Sequence, residues 1–338
     1  MEKPYVVGVD IGGTHLRIGG VTLEGECFSA EVMPSRALVE GGDAIELIAG
    51  ILERFIGEAG PGCLCASVGF PATVARDRKH VHSVPNLVDA GGRHVMDGRN
   101  VVDPLEAKLH LPVVINKDVN NLLEYDLLAY GLERMETVVA CYIGTGFGGA
   151  VKVNGQILTG RNGVANEIGH IPFRGSGRVC TCGKAACAEC HASGKALERI
   201  REECFPQTPI GELFLRYADA PELREFVEDC ALPIATEVNI FDPDCVLVGG
   251  GVPEMERFPR ELLLACIHRH TRKPYPDANL DVRFVSHPPE AGVAGAAIHA
   301  LETLGRRFDV AAFAAKLCND PFQRNTLSPA RGEHHITN

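Results

Sequence analysis

Short apolar runs and stretches with helical spacing of apolar positions follow one another along most of the chain. Runs bounded by glycine, proline or polar residues predict buried strands at residues 5–10, 15–23, 63–69, 113–116, 137–143 and 244–248. Apolar positions recurring every three or four residues predict helices at 40–56, 118–130, 221–241 and 292–304. A further helix is expected to start at Asp103-Pro104, with proline at its first position. This order of elements predicts an α/β protein.

Two of the predicted strands run into similar glycine turns, and each turn leads into another apolar run. The first turn is DIGGT at residues 10–14 and the second is GTGFGG at 144–149, and each carries a threonine, Thr14 or Thr145. Glycine lets backbone N–H groups approach an anion without a side chain in the way, so such turns suit phosphates. A single glycine turn is more simply a hairpin. Two matched turns in two α/β halves favour a nucleotide clamp.

Two other phosphate-binding motifs are excluded by their context. Gly144, Gly146 and Gly149 match G-x-G-x-x-G, but the segment AVKVNGQIL that follows looks like a strand, whereas a dinucleotide site requires a helix. Residues 177–185 resemble a P-loop, yet five residues instead of four separate the two glycines. Ala185 also stands where a magnesium-binding Ser or Thr is required.

Length and composition narrow the class of protein. A chain of 338 residues is expected to form two lobes. No apolar run approaches the roughly 18 residues needed to span a bilayer, and Asp10 interrupts the first run, so a cytoplasmic protein without membrane contact is expected. The net charge of −11 opposes binding to nucleic acid. An odd number of cysteines, 13, without an export signal argues against a disulfide framework.

Four cysteines are clustered between residues 180 and 190. Cys180, Cys182 and Cys187 with His170 upstream offer three thiolates and one imidazole, which suits a closed tetrahedral zinc site. Spacing alone leaves Cys190 and the adjacent histidine at 191 as alternative ligands. A redox pair in the C-x-x-C at 187–190 is the competing interpretation, but the thioredoxin-like context for it is absent.

Taken in order, the segments DIGGT, GTGFGG, NEIGH, CTCGKAACAE and FDPDCVLVGGG resemble the ROK family of bacterial sugar kinases and repressors. The resemblance runs from Asp10 to about Leu304, and its most specific part is H-x9-C-x-C-G-x3-C-x-E from His170 to Glu189. It implies an actin-like ATPase fold with two RNase H-like lobes around a cleft. We expect one lobe from residues 1–117 with about 292–310, the other from 118–291 with the zinc loop, and a C-terminal extension at 311–338.

The resemblance also implies roles for individual residues. Asp118 would be the catalytic base. The ATP phosphates would be held by Asp10, Gly12, Gly13, Thr14, Gly144, Thr145, Gly146 and Gly148, and the adenosine by Gly249, Gly250 and Gly251. A hexose would be bound by Asn86, Lys117, Asp118, Glu167, His170 and Glu189. The implied cofactors are ATP, Mg²⁺ and a structural Zn²⁺ held by His170, Cys180, Cys182 and Cys187. Family members are often dimers, so a homodimer is allowed.

Departures from the family pattern point to a substrate. Lys117 precedes the catalytic Asp118 where many members have Asn, and Ala186 replaces a usual glycine. The Ala186 departure should only stiffen the loop. The segments GFPA at 69–72, KDVN at 117–120, FDPD at 241–244 and PEMERFPRE at 253–261 look most like the D-allose kinases of the family. Phosphorylation of the 6-hydroxyl of D-allose is therefore the leading expectation, with glucokinase, fructokinase and N-acetylmannosamine kinase as alternatives.

Two functions from other classes are disfavoured. A repressor of this family would carry a helix-turn-helix before the first glycine turn, which here begins at Asp10. A zinc-dependent hydrolase needs an open coordination position, which three cysteines and one histidine would close.

Overall fold

The computed structural model describes residues 3–40, 42–84, 87–173 and 177–317. The strands are β1 (Tyr5–Ile11), β2 (His15–Thr22), β3 (Cys27–Pro34), β4 (Cys63–Phe70), β5 (Thr73–Val74), β6 (Val81–Ser83), β7 (Val113–Lys117), β8 (Val138–Ile143), β9 (Phe147–Val153), β10 (Gln156–Ile157), β11 (Cys245–Gly249) and β12 (Val282–Phe284). The helices are α1 (Ala37–Glu40), α2 (Ala44–Ala59), α3 (Val102–Leu109), α4 (Asp118–Ala129), α5 (Gly194–Cys204), α6 (Leu213–Tyr217), α7 (Pro221–Phe241), α8 (Arg260–His270), α9 (Ala291–Thr303) and α10 (Val310–Leu317).

Two five-stranded sheets have the same arrangement of strands. The first has the order β3-β2-β1-β4-β7 and the second has the order β10-β9-β8-β11-β12. In each sheet a central strand pairs antiparallel with the next strand of the chain, β1 with β2 and β8 with β9. On its other side that strand is followed by two parallel neighbours. This duplication is the α/β, actin-like architecture that the sequence predicts.

Helices α4 and α9 lie between the two sheets. Helix α9 packs on β1, β2 and β4 of the first sheet, and α4 contacts both α9 and strand β9 of the second sheet. One apolar cluster joins the sheets through these helices, with Val6 and Val114 from the first, Ala140 and Leu247 from the second, and Ala297 from α9. Because α4 contacts strands of both sheets, the lobe boundary expected at 117/118 stays a prediction.

Most predicted elements are present, and two differ at their start. The helix expected from residue 40 is interrupted, and α2 begins at Ala44 because the carboxylate of Asp43 accepts the N–H groups of Ile45 and Glu46. Helix α3 begins at Val102, so Pro104 is its third residue and not its first. Proline fits there because the first-turn N–H groups have no partner within the helix.

Helices α5 and α8 were not predicted from the sequence. No helix within the described ranges is long and apolar enough to cross a membrane.

Candidate active site

The first two glycine turns close the hairpins β1–β2 and β8–β9. In the first, the N–H of Gly12 donates to the carbonyl of His15 at 2.8 Å, and Ser35 Oγ donates to the carbonyl of Gly12 at 2.7 Å. In the second, the N–H of Gly144 donates to the carbonyl of Gly146 at 3.0 Å. Gly13, Thr14 and Thr145 are exposed at the tips of these turns. Backbone N–H groups at both tips are therefore open to a bound anion.

The second turn is shorter than its sequence motif predicts. Strand β9 begins at Phe147, so Gly148 and Gly149 lie in the strand and not in the turn. A Cβ at position 148 would come 2.6 Å from Cγ1 of Val119 at the start of α4. Glycine at 148 therefore allows α4 to pack closely against the hairpin, which is a different role from holding a phosphate in the turn.

The third glycine turn, at 249–251, lies against the second. It follows β11, which pairs with β8, and the N–H of Val252 donates to the carbonyl of Ile143 at 2.9 Å. Gly250 has a φ of +95°, and a Cβ there would come 2.7 Å from the backbone of Ile143. A glycine is required at this position for both reasons. The fold thus brings two of the expected nucleotide-binding turns to one edge of the second sheet.

Two buried acidic residues interact electrostatically: Asp118 at the start of α4 and Asp10 near the end of β1. Asp118 is the first residue of α4, and its Oδ1 accepts the N–H of Val119 at 2.8 Å. Burial, and then the charge of Asp10, raise the pKa of Asp118 to about 7. Burial also raises the pKa of Asp10, against the opposing charges of Arg17 and His287. Asp118 is therefore a carboxyl group able to accept a proton near neutral pH.

Lys117, Glu167 and His170 form a chain of polar contacts beside Asp118. Lys117 Nζ lies 2.6 Å from Glu167 Oε1 and donates to the carbonyl of Ala165 at 3.3 Å. The other carboxylate oxygen, Oε2, lies 3.7 Å from His170 Nε2. The side chain of Lys117 is only 7% exposed. This side chain is therefore buried and ion-paired.

The four expected zinc ligands lie together. Their nearest ligand atoms, from His170, Cys180, Cys182 and Cys187, all fall within 4.8 Å of one another. His170 Nδ1 is 3.5 Å from Cys180 Sγ, and the sulfur atoms of Cys182 and Cys187 are 3.6 Å apart. His170 thus directs one ring nitrogen to the cysteines and the other to Glu167. Three thiols and one imidazole suit a tetrahedral zinc ion.

The two alternative ligands point elsewhere. Cys190 Sγ lies 3.9 Å from the carbonyl of Arg178, and His191 Nδ1 lies 3.8 Å from a carboxylate oxygen of Asp229. Among the described residues, neither belongs to the metal-ligand group. All cysteines in the described ranges, including both members of the C-x-x-C at 187–190, are free thiols.

Glu189 links the cysteine loop to the second glycine turn. Its Oε2 accepts the N–H of Phe147 at 3.0 Å, and its Oε1 lies 3.9 Å from Cys180 Sγ. The carboxylate therefore connects the loop of the expected zinc ligands with the second glycine turn. Asn86, the remaining expected sugar-binding residue, lies outside the described residues.

A buried charge network beside the third glycine turn was not predicted from the sequence. His287 Nε2 lies 2.9 Å from Asp126 Oδ1, and Tyr142 donates to Asp126 Oδ2 at 2.8 Å. Asp126 counteracts the effect of burial and raises the pKa of His287. The ring of His287 also lies 3.0 Å from where a Cβ on Gly249 would be. No local signal could have identified this network, because its residues are far apart in the chain.

A family model, curated relatives and solved structures that resemble this chain all point to the same protein family. The ROK family model matches residues 6–303. A glucokinase from Thermotoga maritima is 29% identical over 75% of this chain and 83% of its own length. An N-acetyl-D-glucosamine kinase from Haemophilus influenzae is 25% identical over 86% of this chain and 97% of its own length. A ROK family glucokinase from Streptomyces griseus, solved with glucose and AMPPNP, is 26% identical with a TM-score of 0.68, over 87% of this chain and 98% of that one.

Proposed function

Because the chain belongs to the ROK family, we propose that it is an ATP-dependent kinase that phosphorylates the 6-hydroxyl of a hexose. The observation that carries this proposal is the position of Asp118. Its carboxyl group, with a pKa raised to about 7, is close enough to Asp10 and Glu167 for both charges to act on it. Asp118 is therefore near Asp10, which directly precedes the first glycine turn, and near Glu167, in the loop expected to bind sugar.

In the proposed reaction, the carboxylate of Asp118 accepts the proton of the sugar hydroxyl. The hydroxyl oxygen forms a bond to the γ-phosphorus of ATP, and the bond from that phosphorus to the bridging oxygen of ADP breaks. Backbone N–H groups of the glycine turns stabilise the phosphate oxygens. A Mg²⁺ ion bound with ATP would neutralise phosphate charge, and Asp10 offers carboxylate oxygens of the kind that this ion prefers.

We propose a structural role for zinc in this site. The ligands would be His170, Cys180, Cys182 and Cys187, whose ligand atoms cluster within 4.8 Å. When bound, zinc would fix the orientation of the His170 ring and leave Nε2 facing Glu167 and the sugar. Four protein ligands complete a tetrahedral shell, so the ion would support the site without taking part in the reaction.

We propose D-allose as the first substrate to test. D-allose differs from D-glucose only in the axial hydroxyl at C3. A free carboxylate can accept hydrogen bonds from two neighbouring equatorial hydroxyls, but Oε1 of Glu167 is already paired with Lys117 at 2.6 Å. The contact with Lys117 occupies part of the acceptor capacity of this carboxylate, which reduces the advantage of an equatorial 3-hydroxyl. D-glucose is the second candidate, because curated relatives of this chain are named glucokinases.

The test is a panel of aldohexoses, ketohexoses and N-acetylhexosamines assayed with ATP by coupled detection of ADP. We expect turnover with a hexose and a higher kcat/KM for D-allose than for D-glucose. A preference for D-glucose would reject the allose assignment alone. Folded, zinc-loaded protein that phosphorylates no sugar in the panel would reject the kinase assignment.

A further inference from the structure

A buried carboxyl group on α7 holds the residue that precedes Glu167. With the Asn166 amide oriented to satisfy its neighbours, its nitrogen donates to Glu237 Oε1 at 2.6 Å and to Oε2 at 3.1 Å. The amide oxygen accepts the N–H of Ala150, in β9, at 3.1 Å. Glu237 is only 3% exposed. A carboxyl group buried to this extent is costly unless it is hydrogen bonded, so its pairing with Asn166 is a strong structural constraint.

This pairing adds a second contact to the sugar loop, residues 165–170, which Lys117 also contacts. From the end of β7, Lys117 Nζ contacts the carbonyl of Ala165 and the carboxylate of Glu167. From α7, Glu237 contacts the side chain of Asn166, which lies between those two residues. Three consecutive loop residues therefore have side-chain partners elsewhere in the fold. Lys117 of the first sheet contacts the first and third of them, and Glu237 of α7 contacts the second.

We propose that Glu237 is a positioning residue that acts through Asn166 to place the Glu167 carboxylate for sugar binding. This inference rests on the proposed function, because it takes Glu167 as a sugar ligand. Glu237 itself touches no atom expected to react. Its removal should leave the Asn166 side chain with only its contact to the N–H of Ala150, and the resulting freedom of Glu167 should weaken sugar binding more than it slows phosphate transfer.

A simpler explanation for Asn166 is its backbone conformation. Its φ is +59°, a region that asparagine tolerates better than most residues and glycine tolerates best. If backbone conformation alone matters, Asn166→Gly should be harmless. The chain offers a matched control in Asn154, an exposed residue between β9 and β10 with a φ of +51°. Asn154→Gly makes the same change at a similar φ away from the loop.

The experiment compares Glu237→Ala, Glu237→Gln, Asn166→Gly, the Glu237→Ala/Asn166→Gly double variant and Asn154→Gly. Loss of a buried hydrogen bond of this kind supports an increase of about tenfold in the sugar KM for Glu237→Ala and Asn166→Gly. The KM for ATP should stay unchanged, and kcat should fall less than the sugar KM rises. Glu237→Gln keeps one acceptor oxygen for the Asn166 amide and should restore part of the affinity. The double variant should be no worse than either single variant, because both remove the same contact.

Hydrogen exchange gives a second readout that does not depend on catalysis. Amide exchange at 165–170 should accelerate in Glu237→Ala and Asn166→Gly and stay unchanged in Asn154→Gly. Unchanged exchange in this loop would overturn the inference, and so would equal losses in sugar KM, ATP KM and kcat with exchange accelerated throughout the chain. If the wild-type protein phosphorylates no sugar, the proposed function fails, while the exchange data still decide whether Glu237 holds the loop.

Discussion

Replacing Asp118 with asparagine should abolish most of the activity and at the same time stabilise the protein. Asparagine has nearly the same shape, and its side-chain oxygen can still accept the N–H of Val119 that Asp118 accepts at 2.8 Å. The variant therefore loses the ability to accept a proton and little else. Loss of a general base costs about 10²–10⁴-fold in rate, so we expect kcat to fall by that factor with sugar binding largely retained.

The expected gain in stability follows from the raised pKa. The pKa of Asp118 rises from its ordinary value of 3.8 to about 7 in the folded protein. Each pKa unit corresponds to about 1.4 kcal/mol, so ionisation of Asp118 destabilises the fold by up to about 4 kcal/mol. This cost appears as the pH rises above 3.8 and is complete above about pH 7. Asp118→Asn should therefore raise the free energy of unfolding at about pH 8 and have little effect at about pH 4.

The same pKa predicts the pH dependence of wild-type catalysis. At about pH 6 roughly one tenth of Asp118 is ionised, so kcat/KM should be about tenfold below its plateau above pH 7. The measurements are steady-state kinetics across this pH range and urea unfolding at both pH extremes. Asp219→Asn is the matched control, since it removes an acidic charge from a fully exposed side chain and should change neither quantity.

Two results would refute this reasoning. Near-normal turnover in Asp118→Asn would remove this residue from the mechanism. An inactive variant that is less stable than the wild type at about pH 8 would show that its activity was lost through misfolding and that the ionised carboxylate is not a cost to the fold.

Three further predictions concern zinc, substrate choice and closure. Protein purified without chelator should carry one zinc ion per chain, and Cys182→Ser should lower the zinc content and raise the sugar KM about tenfold. Cys204→Ser, at an exposed cysteine outside the cluster, should change neither the zinc content nor the sugar KM. Wild-type protein purified without zinc would contradict the proposed metal site. Lys117→Asn should narrow the preference for D-allose over D-glucose about tenfold, because Glu167 loses its charged partner. An unchanged ratio of the two kcat/KM values in this variant would contradict the prediction. Saturating sugar should reduce the radius of gyration measured by small-angle scattering, because the proposed lobes should close over the substrate. The lobes are residues 1–117 with 292–310, and residues 118–291. Identical scattering profiles with and without sugar would count against closure.

Local sequence signals were enough to predict the hairpins and most of the long elements. Strands β1, β4 and β8 are predominantly apolar, and α7 has the predicted bounds of 221–241 in spite of its internal proline, Pro233. The errors lie where side-chain or backbone contacts set an element's ends. The carboxylate of Asp43 starts α2 later than its apolar periodicity predicts, and the second glycine turn is shortened because β9 pairs with β8 up to Phe147.

The sequence by itself determined the fold class, the glycine turns and the composition of the cysteine cluster, because each depends on residues close together in the chain. The tertiary structure alone decided which distant groups meet. It paired Lys117 with Glu167 and Asn166 with Glu237, and it directed Cys190 away from the cluster. These contacts depend on how separate strands and helices pack, and spacing along the chain carries no information about that. The pairing of Glu167 with Lys117 is therefore a property of the packed molecule.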